Sequence, residues 1–154
     1  MDQRFVAIKL GSISAIARGT SRVFVSEVFG TDAEPVTVEA FANRLVHTCS
    51  SLRPAWIFVN TNGRERAKAL RPHFELLSRF AATAGIQLQQ VHSSTCRSGI
   101  IGPKATSKEV LEAMGSRWGA RNLAEAEAQL LHRYAAWHCI QFNDYGHRAV
   151  GVPT

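Results

Sequence analysis

The chain has 154 residues, 45% of them hydrophobic and 19% charged, a balance that excludes a disordered chain and fits one domain over 1–154, since domains run to ~100–200 residues. Lys and Arg total 18 against 12 Asp and Glu, a net charge of +6. No apolar run approaches the ~20 residues that span a bilayer, and the start MDQRFVAIKL lacks the basic segment and long apolar stretch of a signal peptide, so the expectation is an intracellular protein with no membrane partner.

Residues 4–10 (RFVAIKL) read as a buried strand that stops at Gly11. Residues 13–18 and 22–29 read as two more strands around the turn formers Gly19, Thr20 and Ser21, giving an antiparallel meander of three. Val38, Phe41, Ala42, Leu45, Val46, Cys49 and Leu52 recur at helical spacing and predict a helix over 37–52, which Pro54 ends. The wholly apolar AWIFV run predicts a strand over 55–60 covered on both faces. Pro72 opens a helix over 72–84, which Gly85 closes. Residues 86–91 alternate as a strand does. Thr106 and Glu109 have the spacing of a capping box at the head of a helix over 107–118. A last helix spans 122–138, with Leu123, Ala126, Leu130, Leu131, Tyr134 and His138 in register; the tail 139–154 follows no period.

The order β-β-β-α-β-α-β-α-α predicts an α/β fold, a mixed sheet with helices on both faces. Arg outnumbers Lys fourteen to four, and the planar guanidinium suits phosphate, so the charge points to a polyanionic partner. The excess is concentrated in 55–154, with twelve basic and seven acidic side chains, against six and five in 1–54. Arg64, Arg66, Lys68 and Arg71 follow the fourth strand; Arg97, Lys104 and Lys108 follow the fifth. Taken alone, each group also fits a solvated charged loop. Other chemistries are excluded by spacing. Cys49, Cys96 and Cys139 form no CxxC pair, which argues against a disulfide framework or a structural zinc. GIIGPKATSK lacks the spacing of a phosphate loop, and there is no G-x-S-x-G elbow. Only three aspartates occur, Asp2, Asp32 and Asp144, few for a metal-dependent hydrolase that gathers acids at strand ends.

The order and four segments resemble the RuvC-type Holliday-junction resolvases of the ribonuclease H-like fold, especially their phage and mobile-element branch. VAIKLGSISAIAR resembles the family's first strand, with its I-D-x-G motif, and PAWIFVN the fourth, which ends in a glutamate. GIQLQQVHSSTCRSGIIGPKATSKEVLEAM resembles the fifth strand with the following loop and helix, which carry a motif like G-x-A-D-K. NLAEAEAQLLHRYAAW resembles the last helix, of the form D-E-A-D-A-L. The resemblance covers residues 4–137. It implies a DNA-recombination protein acting as a homodimer on branched DNA, with carboxylates that hold two divalent metals about 4 Å apart.

Carried over residue by residue, the resemblance meets a conflict. The first-strand aspartate falls on Lys9, the fourth-strand glutamate on Asn60, the first acid of the last helix on Ala124 or Glu125, and the final one on Glu127. The A-D-K motif falls on Thr106, Ser107 and Lys108. An ammonium has no lone pair to offer a metal, and an amide brings no charge. A register shift of one residue would instead put Lys9 on the surface. In the family register, a buried Glu127 would face Lys9 in an ion pair where the family holds metal, while Glu125, two residues away on the helix, would face solvent.

The residues therefore predict a DNA-binding, catalytically degenerate relative, a pseudo-nuclease that recognises branched DNA or acts within a nucleoprotein complex with protein partners. Arg64, Arg66, Lys68, Arg71, Arg97, Lys104 and Lys108 would contact DNA, and no cofactor is expected. One alternative is an active Mg- or Mn-dependent junction endonuclease using Glu127, Glu125 and acids placed elsewhere. Another is a scaffold subunit that keeps the fold for protein contacts. The resemblance puts the protein in a cytoplasm, near the nucleoid, or in an organelle or host cytosol, and the helix over 72–84 is the expected dimer contact.

Overall fold

A computed structural model of the chain describes residues 3–11, 13–29, 37–61, 68 and 70–140. Five strands form one mixed sheet: β1 (Phe5–Lys9), β2 (Ser14–Gly19), β3 (Phe24–Phe29), β4 (Trp56–Thr61) and β5 (Gln87–His92), in the order β3-β2-β1-β4-β5. The first three are antiparallel; β4 and β5 add parallel to β1. Among the described residues five α-helices cover it: α1 (Val38–Leu52), α2 (Arg71–Ala84), α3 (Ser93–Ile100), α4 (Ser107–Trp118) and α5 (Leu123–Tyr134). Among the described residues no helix is long and apolar enough to cross a membrane.

Alternation along the strands sends successive side chains to opposite faces. Val6, Ile8, Ile16, Ile57 and Val59 meet Phe41 and Leu45 of α1 and Leu77 of α2. Phe5, Ala7, Ala15, Ala17 and Phe58 meet Val110 and Met114 of α4 and Ala126, Leu130 and Leu131 of α5. The small residues of β1 and β2 on this face leave room for α5, which packs against β1 to β4 and is flanked by α3 and α4. Its residues from Ala124 to Arg133 are consequently all buried.

Local signals fix the boundaries. The Thr37 side chain accepts from the Ala40 amide at the head of α1, and Arg53 ends it in the left-handed region, at φ 53°. Gly19 holds φ 148° in the β2–β3 turn, where a Cβ would stand 2.2 Å from the Val23 carbonyl oxygen, so only glycine fits. The Thr106–Glu109 capping box forms with both reciprocal bonds.

Two elements differ from expectation. The stretch after β5, expected as a loop, opens with α3, whose first amides are capped by His92: its Nδ1 accepts from the Ser94 amide at 3.1 Å. The last helix, expected to run to residue 138, leaves α-geometry at Ala135 and finishes as a π-helical turn, Ala135–Ile140.

Candidate functional site

The ends of β1 and β4 and the face of α5 bring Lys9, Asn60 and Glu127 to one region. In the parallel β1–β4 ladder, Lys9 stands opposite Asn60. By alternation from Phe5 and Ala7, and from Phe58, both belong to the face that α5 covers. Lys9 is 6% exposed and Asn60 4%, so the one-residue shift that would put Lys9 on the surface does not occur. From α5, Glu127 meets Asn60, whose Nδ2 donates to Glu127 Oε2 at 3.3 Å.

Arg97, on α3, pairs with Glu127. Its Nη2 donates to Glu127 Oε1 in an ion pair whose side chains are 21% and 2% exposed. Arg97 is thus a cation on Glu127 that the sequence placed among the DNA contacts. The same guanidinium donates to the Ala105 carbonyl and to Ser107 Oγ, both at 3.2 Å. Buried Cys96, its neighbour on α3, has its thiol pushed up to about 12 by burial and by the Glu127 charge. Cys49, Cys96 and Cys139 are all free thiols.

Glu125 was expected to face solvent; it is 3% exposed. The reason is that α5 is enclosed on every side, so the face opposite Glu127 meets β3 instead of water. Ser26 Oγ donates to Glu125 Oε2 at 2.8 Å, and Arg121 donates through its backbone amide at 2.9 Å and its Nε at 3.1 Å. Burial raises the Glu125 carboxyl, but the hydrogen bonds from Arg121 and Ser26 and the Arg121 charge outweigh it and hold the group below its ordinary value. Glu125 and Glu127 therefore serve separate networks on opposite sides of one helix.

The basic residues divide three ways. Arg64 and Arg66 lie outside the described residues. Lys68, Arg71, Lys104 and Lys108 are exposed. Arg97, in contrast, is engaged with Glu127. The loop that joins α3 to α4 turns on Gly102, at φ 158°, and Lys104, at φ 59°, with Pro103 between them. Arg97 also organises this loop through its backbone: its carbonyl accepts from the Ile101 and Gly102 amides at 2.9 Å each. That role was not legible, because Arg97 and Glu127 are thirty residues apart and nothing local links them.

The fold has close structural counterparts. The chain superposes on Thermus thermophilus RuvC, in a structure described as RuvC in complex with Holliday junction substrate, with a TM-score of 0.66 and 15% identity over 95% of this chain and 96% of that one. The yeast mitochondrial Holliday junction resolvase follows with a TM-score of 0.61 and 11% identity over 96% and 84% of the two chains. The fowlpox virus resolvase, solved with Holliday junction DNA, gives 0.51 and 8% over 86% and 96%.

The fold is that of the RuvC-type resolvases. No family model and no curated protein matches the sequence.

RuvC-type chemistry implies divalent metal, and the described residues do not suit it. Among the described residues no three His, Cys, Asp or Glu side chains come together. Of the groups that do converge, Lys9 is an ammonium, Asn60 an uncharged amide already donating to Glu127, and Glu127 is neutralised by Arg97. A two-metal cage needs several anionic acceptors free to face the ions; among the described residues this cluster offers one acid, and that acid is paired.

Proposed function

We propose that this chain binds four-way DNA junctions, as a homodimer, without cutting them. The observation that carries the reading is the Arg97–Glu127 pair beside Lys9 and Asn60, at the strand ends of a RuvC fold. The fold supports branched DNA as the ligand, because two of its counterparts were solved with Holliday junctions. The paired acid supports binding without hydrolysis. Exposed Lys104 and Lys108 lie on the segment that Arg97 tethers, and with Lys68 and Arg71 they supply phosphate contacts.

A two-fold protein matches a junction with two equivalent strands. The surface groove between α1 and α2, lined by Ala42, Val46, Leu76, Arg79, Phe80 and Thr83, supports the dimer contact expected for 72–84. Half-exposed Val46 is the apolar residue that a second copy would cover.

The test is fluorescence anisotropy at low salt with a four-way junction and a linear duplex of equal length, followed by denaturing gels after incubation with Mn²⁺. The expected result is preferential binding of the junction with every strand intact. Cleavage by the purified protein, or failure to bind any DNA at low salt, overturns the reading. Light scattering at the monomer mass of 16.9 kDa overturns the dimer.

A further inference from the structure

The Arg97 side chain joins three parts of the chain. It pairs with Glu127 on α5, reaches the Ala105 carbonyl in the α3–α4 loop, and reaches Ser107 Oγ in the first turn of α4. The loop starts at Ile101, which packs against the core that α5 shares, and its turn is more weakly held. Pro103 has no amide hydrogen to donate, and the internal bond of the turn, from the Ala105 amide to the Gly102 carbonyl, is 3.3 Å long. On this short segment stand Lys104 and Lys108, both exposed.

Glu127 in turn is held from the other side by Asn60 at 3.3 Å. Because it is 2% exposed, its charge is poorly screened and demands a partner. A cation is therefore required at the place where RuvC-type chemistry implies a metal, and the chain supplies one covalently. Unlike a bound ion, a guanidinium is tied to backbone, and its planar fork can serve three acceptors at once.

We propose that Arg97 and Glu127 are a positioning pair: a built-in counter-ion bridge that fixes the 101–108 segment so that Lys104 and Lys108 are presented to DNA in one arrangement. The DNA part of this inference rests on the junction-binding reading above; the ordering of the segment does not. Arg97 contributes by holding its neighbours and makes no phosphate contact itself.

The decisive variant is Arg97→Lys. An ammonium can still neutralise Glu127, but it cannot span Glu127, Ala105 and Ser107 together. Glu127→Gln is the complementary variant, keeping size and hydrogen bonding while removing the charge that draws the guanidinium in. If one variant fails to fold, the other carries the same measurements. Two readouts are needed: amide hydrogen exchange along the full chain, and junction affinity as a function of salt.

The expected result is exchange at residues 102–107 faster by about tenfold or more, with β1 and β4 amides unchanged. Junction affinity should fall about tenfold through lost preorganisation, while the slope of log affinity against log salt stays as in wild type, because no phosphate contact is removed. Unchanged exchange at 102–107 in Arg97→Lys overturns the positioning role. A salt slope smaller by about one unit in Arg97→Gln, which removes the cation, assigns Arg97 directly to phosphate, and overturns it too. If wild type binds no DNA, the junction reading fails, and the exchange experiment still decides whether the pair orders the segment.

Discussion

Asn60 and Glu127, 67 residues apart in sequence, share a buried hydrogen bond of 3.3 Å from amide to carboxylate. The direction matters. With its Nδ2 donating, Asn60 acts on Glu127 as a neutral donor, where a carboxylate would be repelled. Together with Arg97 on the other carboxylate oxygen, it satisfies the acid from within the protein.

A consequence is indifference to divalent metal. A ligand that binds only the native state stabilises it by about 2.7 kcal/mol when present at a hundred times its dissociation constant. Thermal unfolding of wild type should therefore give the same midpoint in EDTA and in excess Mn²⁺. A rise of several degrees with Mn²⁺, absent in Glu127→Ala, would show that the cluster takes a metal after all.

The Glu125 network makes a pH-dependent contribution. Its carboxyl is held below the ordinary 4.5 by Arg121 and Ser26 against the opposing effect of burial. Since the folded value is depressed, the stabilisation is present above pH 4.5 and is lost as pH falls through the folded value. Removing the charge in Glu125→Gln should destabilise the protein at pH 7 by about 1–3 kcal/mol, and urea midpoints of variant and wild type should converge on acidification below the usual carboxylate range. A gap that is constant from pH 7 to pH 3 would mean that the charge on Glu125 contributes nothing.

These two acids also mark how far the sequence could be read. The capping box at Thr106 and Glu109, the helix over 37–52 and the three-strand meander were legible because each is local: a cap, a period or a turn within a few residues. The placement of Lys9, Asn60 and Glu127 at one point was legible through the resemblance and strand alternation. Burial of Glu125 was not, because helical periodicity assumes one wet face, and α5 has none. Helix α3 was hidden by Ser93, Ser94 and Thr95, poor helix formers whose start is secured by the unusual His92 cap. The change to π-geometry at Ala135 leaves no mark on an apolar pattern that continues to His138.

His132 provides an independent test of the α5 packing. Its ring is stacked between Phe5 and Phe24, with centroids 4.3 and 4.4 Å away, and Arg133 Nη2 lies 2.9 Å from its Nδ1. Burial first, and the Arg133 charge second, push its pKa down to about 2 from 6.5. The native state therefore keeps the ring neutral while the unfolded chain takes up a proton below pH 6.5, so stability is lost as pH falls below that value. This one group should contribute a slope of about 1.4 kcal/mol per pH unit. In His132→Phe, which keeps an aromatic ring in the stack, denaturant unfolding between pH 6 and pH 4 should be less steep by about that amount. Equal slopes would show that His132 charges in the folded protein.

The last prediction concerns Lys104 and Lys108. Both are exposed, and reversal of their charge should not disturb the fold. Lys108 is the second residue of α4, where an acid interacts favourably with the helix dipole, so Lys108→Glu leaves the helix at least as stable. Lys104 has φ 59° and already places a non-glycine side chain in the left-handed region, which Glu can also adopt. Lost DNA binding in the double variant Lys104→Glu, Lys108→Glu cannot then be ascribed to a lost helix, and circular dichroism and the thermal midpoint should match wild type. If both lysines meet phosphate, neutralising them to Ala should lower the salt slope by about two units, one for each contact. Reversing them should abolish junction binding at physiological salt. An anisotropy series from low to physiological salt, with wild type and both double variants side by side, makes the comparison. Retained affinity in the reversed variant would remove the α3–α4 segment from the DNA surface and leave Lys68 and Arg71, after β4, as the place to look for it.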